Sequence, residues 1–115
     1  MSLRIERGGL YAADLDPRRG TEPGKVRPVV VVQSDLLNEV GHPSTVVLPC
    51  TTRMVGESFI RVHLPRGIGG NTAECEIMID QARALDNRRI RRALGKLPDA
   101  VLREVQDKLR QLFDL

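Results

Sequence analysis

The feature that most constrains this chain is the stretch at residues 26–34, VRPVVVVQS, in which four consecutive Val follow an Arg-Pro pair. Successive side chains of a strand point to opposite faces, so an apolar run without polar interruption has to bury both of them. β-branched side chains favour extended backbone, and the run is far shorter than the ~20 residues of a bilayer span. Pro28 has no amide to give to a ladder, which confines it to the start of the strand. Arg27 is thereby fixed at the mouth of a central strand, just after a loop at residues 18–25 (RRGTEPGK) that holds two Gly and one Pro.

Other extended segments surround this run. Residues 9–15 (GLYAADL) are short and apolar and end at an Asp16-Pro17 turn, and residues 45–51 (TVVLPCT) are mostly apolar. Within 59–64 the pattern alternates, with Ile60, Val62 and Leu64 on one face and Phe59, Arg61 and His63 on the other. Residues 75–80 (CEIMID) give a fifth strand. A short helical turn fits 35–38, and a turn follows at Gly41-His42-Pro43. The Gly-rich piece at 65–71 (PRGIGGN) matches neither GxGxxG nor a P-loop and reads as a turn. After Pro98 the period changes. Leu102, Val105, Leu109 and Leu112 recur at spacings of 3, 4 and 3, which predicts an amphipathic helix packed on the core, with Asp99 at the positive end of its dipole. The expected architecture is mainly β with a C-terminal α-helix, a small barrel-like sheet of mostly antiparallel strands. A length of 115 residues fits a single domain over 1–115. With neither a signal-peptide apolar region nor a membrane span in the sequence, a soluble, cytoplasmic protein is expected.

Charge is concentrated by type and by place. Fifteen of the 18 basic residues are Arg, and residues 83–92 (RALDNRRIRR) hold five Arg against one Asp, a local net of +4. The rest of the chain balances 13 basic against 14 acidic residues. A guanidinium cluster suits phosphate contacts, but the same charges also protect an exposed sheet edge from aggregation; the sequence leaves both readings open. Aromatic residues are only 3%, which argues against repeated base stacking on aromatic platforms.

Cys50 and Cys75 are the only cysteines and form no CxxC pair, and His42 and His63 lack metal-ligand spacing. No metal and no cofactor is expected. The apolar settings of both Cys predict buried reduced thiols, with a disulfide left open. A two-histidine ribonuclease mechanism is disfavoured, since neither His lies in a catalytic motif.

The segments GLYAADLDPRRGTEPGKVRPVVVVQSD, VVLPCTT and DQARALD occur in this order and together resemble the MazF/PemK family, endoribonuclease toxins of type II toxin–antitoxin modules. The ordered set G-x-E-x-G-x-x-R-P, P-C-T-T and D-Q carries the resemblance, which extends from Arg7 to the C-terminal helix. It implies an SH3-like barrel with a terminal helix and a homodimer. It also implies sequence-specific, metal-independent cleavage of single-stranded RNA, silenced by a cognate antitoxin. By the same resemblance Arg27 and Thr51 take catalytic positions, Glu22 and Asp80 are acid–base candidates, and Lys25, Thr52, Gln81 and Arg89 are candidates for RNA contact. Two positions depart from some members: Thr21 stands where those have His, and Met78 where those have Arg. Two rival classes share the fold or the charge: a CcdB-like toxin that binds DNA gyrase without catalysis, and a non-catalytic RNA-binding barrel.

Overall fold

The computed structural model describes residues 3–16, 20–21 and 25–115. Among the described residues there are seven strands: β1 Gly9–Asp14, β2 Val26–Val31, β3 Ser44–Thr51, β4 Arg61–Leu64, β5 Cys75–Met78, β6 Arg83–Asp86 and β7 Ile90–Lys96. Two α-helices accompany them, the short α1 Asp35–Glu39 and the terminal α2 Asp99–Phe113. Every pairing is antiparallel, in the order β4-β5-β3-β2-β1-β7, with β6 joined to β3 as a branch. The strands and helix are those of the expected fold, but the sheet does not close into a barrel: β4 and β7 stand at its two ends.

The Val run behaves as its composition requires. Val29 and Val31 enter one apolar cluster with Tyr11, Ala13, Leu15, Val47, Leu85 and Ile90. Val30 enters the other, with Leu10, Leu48, Val62, Leu64, Ile77 and Val105. Val105 brings α2 onto that second face, with Val101 and Leu109 packed beside it. Full burial of such side chains is worth about 1.5–3 kcal/mol each. The predicted helical stripe runs out at Leu112, which is 36% exposed.

Element ends differ from the sequence pattern for identifiable reasons. β2 stops at Val31 because the buried Gln33 side chain takes over the pairing: its amide oxygen accepts from Val46 N (3.1 Å) and its amide nitrogen donates to Ser44 O (3.1 Å). Residues 79–81, expected as the end of a strand and its exit, form a 3₁₀ turn, Ile79–Gln81. The Arg-rich segment is two strands, β6 and β7, linked by a 3₁₀ turn at Asn87–Arg89. β7 is an edge strand that exposes Arg91, Arg92 and Lys96, and such charges disfavour edge-to-edge association. The Gly-rich turn leans on β7, backbone against backbone. A Cβ at Gly70 would collide with the carbonyl of Leu94, and one at Gly95 with the carbonyl of Gly69.

Candidate active site

The site grows from the start of β2 and the end of β3. The ladder between them pairs Val31 with Val47, Val30 with Leu48 and Val29 with Pro49. Arg27 lies two residues before the last pair on β2 and Thr51 two residues after it on β3. Regular pairing ends at Val29, and a cleft of about 290 Å³ lies beyond it. Lys25, Arg27 and Pro28 line one side, Cys50, Thr51 and Thr52 the other, with Asn71 to Ala73 and Cys75 completing the wall.

Each lining group is held by its backbone context. Lys25 adopts φ 64°, a conformation uncommon for a residue with a side chain, and both its peptide groups are tied. Its N–H donates to Asp16 Oδ1 (2.5 Å), and its carbonyl accepts from Leu15 N (2.8 Å). Arg27 is half-buried and its backbone pairs with Ala13 of β1. Thr51 is only 8% exposed, and its Oγ1 accepts from Arg53 N (3.1 Å). Accepting that bond leaves the hydroxyl proton to be donated elsewhere. The cleft is therefore lined by a guanidinium and by a hydroxyl that can donate.

Beneath them lie two thiols. Cys50 and Cys75 are free and buried, as expected from their apolar settings. A hydrogen bond to Cys75 together with burial pushes the Cys50 thiol up. Donation from Cys50 holds Cys75 down, helped by the Asn71 amide at 3.5 Å from its Sγ.

A model described as the PemK-like, MazF-like toxin of type II toxin–antitoxin systems matches residues 6–113. The chain belongs to this family. It is similar to the endoribonuclease MazF of Staphylococcus saprophyticus, with 31% identity over 91% of this chain and 88% of that one. The crystal structure of MazF from Deinococcus radiodurans superposes with a TM-score of 0.84 at 30% identity, over 99% of this chain and 100% of that chain. A MazE–MazF crystal structure from the same organism superposes at 0.78 with 27% identity, covering 99% of both chains.

Within this MazF-like chain, the predicted site residues fall into three groups. Lys25, Arg27, Thr51 and Thr52 come together at the cleft. Glu22 lies outside the described residues. Asp80 and Gln81 sit in the 3₁₀ turn at Ile79–Gln81, and Arg89 lines a separate polar groove with Arg83, Asp86 and Arg88; none of the three lines the Arg27 cleft. In that second groove charge is partly spent internally, because Asp86 takes two guanidinium bonds from Arg88 (2.9 and 3.1 Å) and is held down at about 2. Sequence reading missed Asn71 as a wall of the cleft. It is 4% exposed, and its Nδ2 donates to the carbonyls of Leu64 and Ala73. Its position after Gly-Gly gave only a turn signal.

Proposed function

We propose that this chain is a MazF-type endoribonuclease toxin that cuts single-stranded RNA at defined sequences without a metal and is silenced by a cognate antitoxin. The observation that carries the reading is the cleft that Arg27 and Thr51 line together, in a chain of this toxin family. In this reaction the RNA 2′-oxygen attacks the adjacent phosphorus, the P–O5′ bond breaks, and the ends are a 2′,3′-cyclic phosphate and a 5′-hydroxyl. Charge builds on the non-bridging oxygens as the fifth bond forms. Arg27 meets it with the planar guanidinium fork, and Thr51 donates its hydroxyl proton to the same phosphate. A guanidinium is a poor base, so the 2′-hydroxyl proton passes to a carboxylate, for which Glu22, three residues before Lys25 in the chain, is the candidate, and the resulting carboxylic acid returns a proton to the departing 5′-oxygen. Lys25 and Thr52 at the cleft, with Gln81 and Arg89 beyond it, contact the rest of the strand.

Assembly and control follow the same reading. A cytoplasmic homodimer lengthens the RNA groove across two copies, and an extended acidic antitoxin segment competes for the same basic surface. The MazE–MazF structure of the Deinococcus radiodurans relative supports an antitoxin partner.

The test is incubation of the purified chain with a long single-stranded RNA in EDTA, followed by end-group analysis. Discrete cuts ending in cyclic phosphate and 5′-hydroxyl are expected. An intact RNA would overturn the reading in favour of a gyrase-type or purely binding role.

A further inference from the structure

A second cavity, of about 390 Å³, lies behind the loop at residues 52–60 and contains a carboxylate that the proposed chemistry does not use. Glu76 is on β5, directly paired with Thr51, and is 2% exposed. A carboxylate so deeply buried costs several kcal/mol unless it is paired and hydrogen-bonded. Its partners are all on or beside one loop. Oε1 accepts from Val55 N (3.0 Å) and from Arg61 Nη1 (2.9 Å), and Oε2 accepts from Gly56 N (3.0 Å). Arg61 Nη1 also reaches the carbonyl of Arg53 (3.4 Å). On the far side Lys108 of α2 donates to the carbonyls of Ser58 (3.0 Å) and Arg61 (2.7 Å).

The loop is thus held at both ends from inside the molecule. It leaves β3 at Thr51, whose Oγ1 accepts from Arg53 N, so the loop backbone and the Thr51 hydroxyl are joined by one bond. On its outer surface Met54, Val55 and Phe59 are 41%, 63% and 61% exposed, apolar groups that a free surface would not favour. An RNA base splayed from a single strand presents an apolar face and is read by preset loop groups.

We propose that Glu76, through its bonds to the 53–56 backbone and to Arg61, is a positioning residue that sets the loop against Thr51 and so determines both the rate and the sequence preference of cleavage. This deepens the ribonuclease reading and rests on it. Burial raises the Glu76 carboxyl, but the amides of Val55 and Gly56 and the Arg61 guanidinium outweigh burial and hold it below the ordinary carboxylate value, so the clamp is ionised at neutral pH. Glu76→Gln keeps the shape but turns an NH₂ group toward groups that are themselves donors, which releases the loop.

Two measurements on the full chain decide this. The first is amide hydrogen exchange of residues 53–58, which needs no activity; Glu76→Gln is expected to lose protection at Val55 and Gly56. The second is single-turnover cleavage of one RNA at saturating enzyme, with every cut site mapped, well below the thermal midpoint. Glu76→Gln is expected to cut the preferred site about tenfold or more slowly, with minor sites gaining share, since misplacement by 1 Å costs about a hundredfold. Lys108→Met frees the other end of the loop without stranding a buried charge. It is expected to show the same redistribution, and it serves if Glu76→Gln does not fold. A folded variant with wild-type rate and cut-site distribution overturns the positioning role, whatever its stability. Wild-type protein that fails to cut RNA overturns it too, and the hydrogen-exchange arm then still separates a failed ribonuclease reading from a failed clamp.

Discussion

Thr45 and Thr51 are buried threonines on one strand, and they meet opposite fates. Thr45, at the end of β3 that pairs with β6, is 1% exposed and gives its hydroxyl proton to Asn87 Oδ1 at 2.6 Å. Asn87 in turn donates to the His42 carbonyl (2.8 Å), so that end of the strand is a closed ring of satisfied groups. Thr51 is 8% exposed at the cleft, and its oxygen accepts from Arg53 N. One end of the strand uses its polar groups to hold the fold, and the other keeps a donor turned toward a cleft beside Arg27. Burial of a polar side chain therefore says little by itself about role; the destination of its proton separates the two.

The largest expected effect breaks the cleft end. Arg27→Ala should lower single-turnover cleavage by about 10²–10³ or more, the range for loss of a donor to a developing oxyanion. Arg27→Lys keeps the charge and loses the planar fork, and should also be strongly impaired. RNA affinity should drop only modestly, because many other Arg share the phosphate contacts. Circular dichroism checks that each variant folds; a folded Arg27→Ala protein that cuts at wild-type rate removes Arg27 from the mechanism.

The two threonines then give a crossed pair of outcomes. Thr51→Ala should lose about 10- to 100-fold in rate, the worth of a hydrogen bond to a charged group, with little change in thermal midpoint. Thr45→Ala strands Asn87 and should cost about 1–3 kcal/mol of stability, or several degrees of midpoint, with the rate unchanged in the folded protein. If Thr45→Ala slows cleavage as much as Thr51→Ala does, the division of the strand into a structural and a chemical end is wrong.

Much of this was legible in the chain because it depends on local pattern. The Val run, the alternation at 59–64 and the 3-4-3 spacing after Pro98 each express one element's own burial. β6 and β7 escaped because they bury so little: Leu85 and Ile90 are their only buried residues. Arg27 and Thr51 were reached through family motifs, since their meeting at one cleft depends on how two strands pair and not on the pattern within either. Glu76 was not singled out at all. An acidic residue inside CEIM reads as an ordinary strand position, and its partners lie 15 to 21 residues away.

A smaller effect is expected in acid. The groups around Glu76 are Arg61, Lys108, His63, Glu57 and Glu104, and its carboxyl is held below its ordinary value of 4.5. A depressed folded value means that the stabilisation is fully present above pH 4.5 and drains away as pH falls through the folded value. Glu76→Gln should therefore be less stable than wild type by about 1.5 kcal/mol near neutrality, with the gap closing in acid. Asp14, Asp35 and Asp86 are held low as well, so the wild-type-minus-variant difference in midpoint, followed from pH 7 to pH 3, is the quantity to read. A gap that is constant with pH would mean that Glu76 acts by shape and not by charge.

The mildest test probes how far the openness of the cleft end extends inward. Cys50 is next to Thr51 along the strand and lines the same cleft, yet it is 1% exposed, and Cys75 is 2% exposed. A thiol reagent attacks the thiolate, so reaction needs both access and ionisation. Cys50 lacks both, being sealed and pushed up; Cys75 has the lower value of the pair but little access. Native protein at neutral pH should therefore show no fast-reacting thiol and two in denaturant. As pH rises, Cys75 should be modified first. Single variants, Cys50→Ala and Cys75→Ala, assign the order. Rapid labelling of Cys50 in the native protein would show that the cleft opens through to the core, and the contrast with the sealed Thr45 end would then extend beyond one hydroxyl to the packing beneath it.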